Sequence, residues 1–188
     1  MATPSPFQKI RIDAAGQRRS LTWYRQQVQR LQDLNRGVNR ELSRGRDLRN
    51  NVFIGDLYLF RYDPKHKATL PYYDALPLVM PFNRAEGGFL GINLHYLPYA
   101  MRFKVMGALL DQVTDVSNPY SRAKISYAIL NNASRFPGVQ HCVKHYLINH
   151  VQGRFLEIPN DEWLAAAMLP IEQFHGAPKS RVFQNARI

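Results

Sequence analysis

Residues 51–63 read NVFIGDLYLFRYD. After the Gly-Asp punctuation at 55–56, Leu57, Leu59 and Arg61 alternate with Tyr58, Phe60 and Tyr62. A period of two marks an extended strand, because successive side chains point to opposite faces. Both sets are bulky here. The strand is therefore expected to bury one face and to have the other covered in part. That reading makes the middle of the chain a sheet. PLVMPF (77–82) gives a second short strand bounded by prolines. Proline cannot donate to a ladder, so this strand is placed at an edge or a barrel corner. NRAEGG (83–88) reads as a turn and FLGIN (89–93) as a third strand. Strands so closely spaced suit a small bent sheet or an SH3-like barrel.

Helical periods flank the strands. Leu21, Tyr24, Val28, Leu31 and Leu34 recur at helical spacing, with Ser20 or Thr22 as cap and Gly37 as the expected end. Residues 1–19 show no period and read as extended or disordered, and 37–51 read as a basic linker. Pro98 opens a helix over 98–113, at the position where a missing N–H costs least. Asn118-Pro119 starts another, running to about Arg135. Residues 139–155 form a further helix candidate. Residues 160–169 form the last, with Asn160 as N-cap and acids in the first turn, where the helix dipole favours them. The tail reads as loosely ordered and basic. The expected class is α+β: a small bent β-sheet or SH3-like barrel packed with several helices and preceded by a basic helical arm. The expected division is an arm at 1–50, a β-rich module at 51–97, a helical region at 98–170 and a tail at 171–188.

Charge is the strongest global signal. The 188 residues carry 25 Lys and Arg against 14 Asp and Glu, a net charge of +11. Residues 1–50 hold eleven of those cations against four acids, and ten of the eleven are arginines. Such a concentration suits phosphate backbones or another strongly acidic surface. It also suits a merely solvated basic surface. Apolar residues make up 45% of the chain, enough for a real core. No apolar run is long enough to span a bilayer, so no membrane partner is expected. The first twenty residues lack the apolar stretch of a secretory signal. Cys142 is the only cysteine, so an intramolecular disulfide is impossible and a reducing compartment fits.

Three constellations could carry chemistry. Lys65, His66 and Lys67 lie near Tyr62, Tyr72 and Tyr73. Cations interleaved with aromatics suit phosphate contact and base stacking, above all at a frayed end. The same pattern suits a solvated loop whose tyrosines pack on the sheet. His141 and His145 stand four apart near Cys142 and His150, a spacing that on a helix could offer two imidazoles to one metal. No second ligand cluster accompanies them, so neither metal nor cofactor is expected. His95 could be a general base or could lock the turn before Pro98. Asp56, Asp63 and Asp74 each suit a turn. No Walker A sequence, GxGxxG, CxxC pair or GxSxG occurs, and an enzyme is the less expected class.

IGDLYLFRYDPKHKATLPYYDALPLVMPF (54–82), GGFLGINLHYLP (87–98) and MRFKVMGALLD (101–111) resemble a group of small virion proteins of T4-like tailed bacteriophages. CVKHYLINHVQGRFLEIPNDEWLAAAMLPIEQFHGAPKS (142–180) continues the resemblance, and TWYRQQV (22–28) is similar too. The likeness spans about residues 50–181. The group is that of the DNA end protector, a head-completion protein. The resemblance implies binding to the termini of packaged linear double-stranded DNA, protection against host exonuclease, and help in making the head competent to join the tail. It implies a virion location after assembly in the host bacterial cytoplasm, with other virion subunits as partners. It brings no catalytic residues. A structural subunit of the neck or tail baseplate, gripping a neighbour with its basic arm, is the alternative. A barrel-type nuclease or toxin is a third reading, by fold analogy alone. The residues expected to meet DNA are Arg18, Arg19, Arg25, Arg30, Arg36, Arg40, Arg44, Arg46 and Arg49 of the arm, with Lys65, His66, Lys67, Tyr72 and Tyr73 of the loop.

Overall fold

The computed structural model describes residues 4–15, 19–31, 33–114, 130, 137–184 and 186. Six strands form one antiparallel sheet: β1 (Leu48–Arg49), β2 (Leu57–Tyr62), β4 (Leu78–Ala85), β5 (Gly88–Asn93), β6 (Val143–Leu147) and β7 (Val151–Ile158). Their order is β1-β7-β2-β4-β5-β6, and β3 (Tyr73–Asp74) pairs separately with β8 (Phe174–His175). The alternation at 57–62 divides the interior in two. Leu57 and Leu59 join the large core beneath the helices. Tyr58, Phe60 and Tyr62 join Val79, Phe89, Tyr146 and Phe155 in a second, aromatic core.

Connectivity explains that second core. β6 and β7 are joined only by a 3-10 turn, Ile148–His150, yet four strand spacings separate them in the sheet. At about 4.8 Å per spacing, a flat sheet would hold them roughly 19 Å apart. Three linking residues reach at most about 15 Å. The sheet must therefore curl, and its concave side fills with rings. Phe60 meets Tyr146 and Phe155 edge-on at centroid distances of 5.3 and 5.0 Å. Across the curl, the Leu147 N–H donates to the Tyr62 hydroxyl at 3.1 Å. β1 and β6 remain as edges, so the sheet is open and bent rather than a closed barrel. The α+β class holds.

Several local expectations change. β4 lies inside the sheet, between β2 and β5, and not at an edge. Pro81 is tolerated there because, within β4, β2 pairs only with Leu78 and Val79. The Pro81 carbonyl accepts the Gly55 N–H at 3.0 Å. The proline nitrogen faces the same side, where no ladder donor is required. The turn at 83–88 shrinks to Glu86-Gly87, because Asn83, Arg84 and Ala85 pair with Leu90, Phe89 and Gly88. Gly87 adopts φ +67, a left-handed conformation that glycine reaches without strain.

Residues 139–155 are not one helix. A single turn, α5 (Pro137–Gln140), leads into β6 and β7. Tyr146 and Phe155 gain the aromatic core by being extended, a tertiary gain that outweighs the local helical period.

The front of the chain is more structured than its composition suggests. α1 (Pro6–Asp13) starts with a reciprocal Ser5–Gln8 capping box and buries Phe7 and Ile10. The helix expected to end at Gly37 is two helices, α2 (Leu21–Arg30) and α3 (Leu34–Arg44), separated by a left-handed Asp33 at φ 51. Ser20 does cap α2, accepting the Trp23 N–H at 3.2 Å. Much of the expected linker is thus α3. Gly37 sits inside it because a Cβ there would lie 2.7 Å from Pro6 Cγ, so its role is close packing on α1. Tyr24 and Val38 enter the same core as the sheet.

The helix expected at 98–113 is α4 (Tyr99–Thr114). The helix expected at 118–135 lies outside the described residues, apart from Leu130. At 160–169, a 3-10 turn (Asn160–Glu162) feeds α6 (Trp163–Met168), and Pro159 rather than Asn160 precedes that turn. The tail is structured: β8 and α7 (Lys179–Gln184) pack with Ile171, Val182 and Ala186 buried. A buried Arg102 fastens it, donating to the Leu97 and His95 carbonyls at 2.7 Å and lying 3.5 Å from Glu172. Burial alone would push the Glu172 carboxyl up, but Arg102, His95 and Lys179 hold it down at about 2. Among the described residues, no helix is long and apolar enough to cross a membrane.

Candidate nucleic-acid interface

The arm's arginines lie on a solvent face. Arg25 and Arg30 are exposed on α2. Arg36, Arg40 and Arg44 recur every four residues on α3, on the side away from buried Val38. Arg46 and Arg49 follow, also exposed. Arg19 is half-buried, its guanidinium 5.8 Å from the centre of the Trp23 ring. Arg18 lies outside the described residues. These cations are not equally free. Arg49 is held by Glu157 at 2.6 Å, while Arg36 and Arg40 lie 3.8 and 3.7 Å from Asp33 and Glu41. Among the described residues, Arg25, Arg30, Arg44 and Arg46 have no carboxylate partner. Arg61, which sequence reasoning placed in a strand and not at the interface, is exposed and donates to Asn39 of α3 at 2.8 Å. This bond ties the basic helix to the strand that feeds the 63–73 loop.

That loop is built by its prolines and the Asp63 carboxylate. Lys67 N–H donates to the Pro64 carbonyl and Thr69 N–H to the His66 carbonyl, folding 64–69 into tight turns. The Lys67 ammonium bonds both Asp63 oxygens, at 2.8 and 3.0 Å. Lys67 is therefore partnered, whereas among the described residues the Lys65 and His66 side chains have no such carboxylate. Those two, with Tyr72 and Tyr73, line a cleft of about 1060 Å³ whose far wall is β6. Four of the five loop candidates are thus brought to one place. Gly176, at φ +85, closes on the Pro71 carbonyl, where a Cβ would lie 2.6 Å away. Tyr73 stacks on His175 at 5.1 Å, and Tyr72 leans on Tyr96 at 5.9 Å.

The far wall brings a residue that sequence reasoning missed. Lys144 lines the cleft with its ammonium 4.5 Å from the centre of the Tyr96 ring. Burial lowers its pKa. Read as a helical residue, Lys144 had no reason to face the 63–73 loop; as part of an edge strand it does.

Asp74 anchors the floor. It accepts the Leu76 and Gln173 N–H groups at 3.1 and 3.0 Å, the Asn93 amide at 3.2 Å and His95 Nδ1 at 2.8 Å. Burial opposes its charge, but His95, Gln173 and Asn93 outweigh burial and hold the carboxyl below its ordinary value. His95 is fully buried, which gives it the packing role and not access to a substrate. The histidines at 141, 145 and 150 each meet a different carbonyl: His141 that of Tyr96, His145 that of Glu86, and His150 that of Asp63. Because they lie on a turn, a strand and a 3-10 turn, the helical metal spacing does not arise. Among the described residues, no group of three or more His, Cys, Asp or Glu converges as metal ligands do.

No curated protein and no solved structure matches the chain. A family model does, across residues 9–188, and its description is the phage T4 terminal DNA protecting protein. With nearly its whole length matched, the chain belongs to the phage T4 terminal DNA protecting protein family.

Proposed function

We propose that this protein binds the ends of linear duplex DNA and shields them from exonucleases. The observation that carries the reading is the set of exposed arginines without carboxylate partners on and after α2 and α3, in a chain of this family. Each arginine that neutralises a phosphate releases counterions, giving affinity without sequence preference and a steep dependence on salt. The loop supplies what a uniform backbone lacks: Tyr72 and Tyr73 offer rings to the terminal base pair, at about 1–3 kcal/mol per stacked base. Occupying the end blocks an exonuclease by exclusion, so no bond needs to be made or broken. In this reading the protein rides in the virion after assembly in the bacterial cytoplasm, and its place on the DNA end supports head completion.

An exonuclease-protection assay on linear duplex tests the reading. Removing residues 1–50 is unsuitable, because Phe7, Ile10, Tyr24 and Val38 would leave the core. The combined variant Arg25→Gln, Arg30→Gln, Arg44→Gln, Arg46→Gln keeps those contacts. Wild type should preserve the duplex and the variant should not. Unchanged degradation with wild-type protein would refute end protection.

A further inference from the structure

We infer that the cleft between residues 64–73 and β6 holds unpaired nucleotides of a DNA end, with a backbone phosphate at Lys144. The inference rests on the end-binding reading and adds a ligand state to it: a strand that continues, splayed and unpaired, past the last base pair.

Four observations point there. The first is size. At about 1060 Å³ the cleft lies at the top of the usual range of roughly 300–1,000 Å³ for small-ligand pockets. It has room for a short segment rather than one base. The second is the unmatched cation. Lys144 is half-buried over the Tyr96 ring, and among the described residues no carboxylate pairs with it. An ammonium partly stripped of water gains most from an arriving anion. Its burial-lowered pKa agrees, since a phosphate would restore the charged form. The third is that few acids compete. Asp74 is committed to His95, Asn93 and two backbone N–H groups, which leaves Glu86 at the rim. The fourth is the remaining lining. Leu70 and Ile148, 42% and 44% exposed, line the cleft with Tyr72 and Tyr73. Rings and aliphatic groups stack on the faces of bases, and a paired base inside a duplex shows only its edges in the grooves. Terminal pairs are where fraying is easiest, so an end is the place where such faces become available.

The test uses the full chain and three labelled DNAs sharing one duplex sequence, at about 150 mM salt. One is a dumbbell closed at both ends, one a hairpin with a blunt end, and one a hairpin with a three-nucleotide tail, made in both polarities. One or both tails should tighten binding about tenfold over the blunt end. Lys144→Met should bring the ratio of tailed to blunt affinity down to about one, and Lys144→Arg should keep it near tenfold. If blunt and tailed hairpins bind equally, both above the dumbbell, the cleft inference is overturned and end binding stands. Equal binding of all three DNAs overturns both. The wild-type comparison needs no variant, so the inference stays open to refutation even if Lys144→Met unfolds.

Discussion

The helical front and the cleft carry positive charge in opposite ways. On α2 and α3 the cations are long, exposed arginines strung along a solvent face. In the cleft they are few, and Lys144 lies half-buried among rings on the edge strand β6. Exposed charge is strongly screened and reads any phosphate alike. A half-buried cation beside aromatic faces is screened less and accepts only what fits between its walls. One surface therefore suits affinity and the other suits discrimination of an end.

The largest expected effect falls on the front. Substituting Arg25, Arg30, Arg44 and Arg46 together by Gln should weaken binding to any duplex by about a thousandfold at low salt. The slope of log affinity against log salt should flatten by about three to four. An unchanged slope would break the contrast, because the front would then not be the phosphate surface. Next is the curl that brings β6 to the 63–73 loop. Phe60→Ala removes the ring meeting Tyr62, Phe89, Tyr146 and Phe155, and should cost about 3–5 kcal/mol in urea unfolding. A cost below about 1 kcal/mol would mean that the aromatic core does not hold the sheet's shape.

A smaller effect concerns how the front is seated. Arg11 of α1 reaches Asp161 at 2.6 Å and lies 3.9 Å from Glu162. Burial pushes the Glu162 carboxyl up from 4.5 to about 7, with Arg11 opposing. The folded state therefore holds a proton that the unfolded state releases. This contribution is complete below pH 4.5 and lost as pH rises through about 7. Glu162→Gln should accordingly stabilise by about 1–2 kcal/mol at pH 8 and change little near pH 4.5. Thermal unfolding at the two pH values reads this directly, and the opposite trend would mean that Arg11 favours the ionised Glu162 more than burial opposes it. The smallest effect sharpens the view of the front itself. Arg44→Gln should lower the salt slope by about one, while Arg49→Gln, already engaged by Glu157, should lower it less.

Legibility in the sequence followed the range of the interactions. The strand at 57–62 and the helix after Pro98 were readable because alternation, helical period and a first-turn proline are local signals. Ser20 was readable as a cap for the same reason. The two strands at 143–158 were not, because Tyr146 and Phe155 are extended only for the sake of partners on β2 and β5. Nor was the interior place of β4, which depends on where β2 stops pairing. At the site, Lys65, His66, Tyr72 and Tyr73 were legible as cations beside rings. Lys144 was not, since its closeness to them exists only once β6 is a strand. Arg61 is hidden differently: its alternation places it correctly on β2, but its link to Asn39 depends on α3, most of which reads locally as linker.

The most direct test of the account is competition between linear duplex and covalently closed circles of the same sequence, at equal base-pair mass and about 150 mM salt, where weak non-specific binding has largely fallen away. The account predicts that the protein stays on linear DNA against an excess of circles. If circles displace it in proportion to their mass, it is a general duplex binder, and the claim that it recognises ends is contradicted.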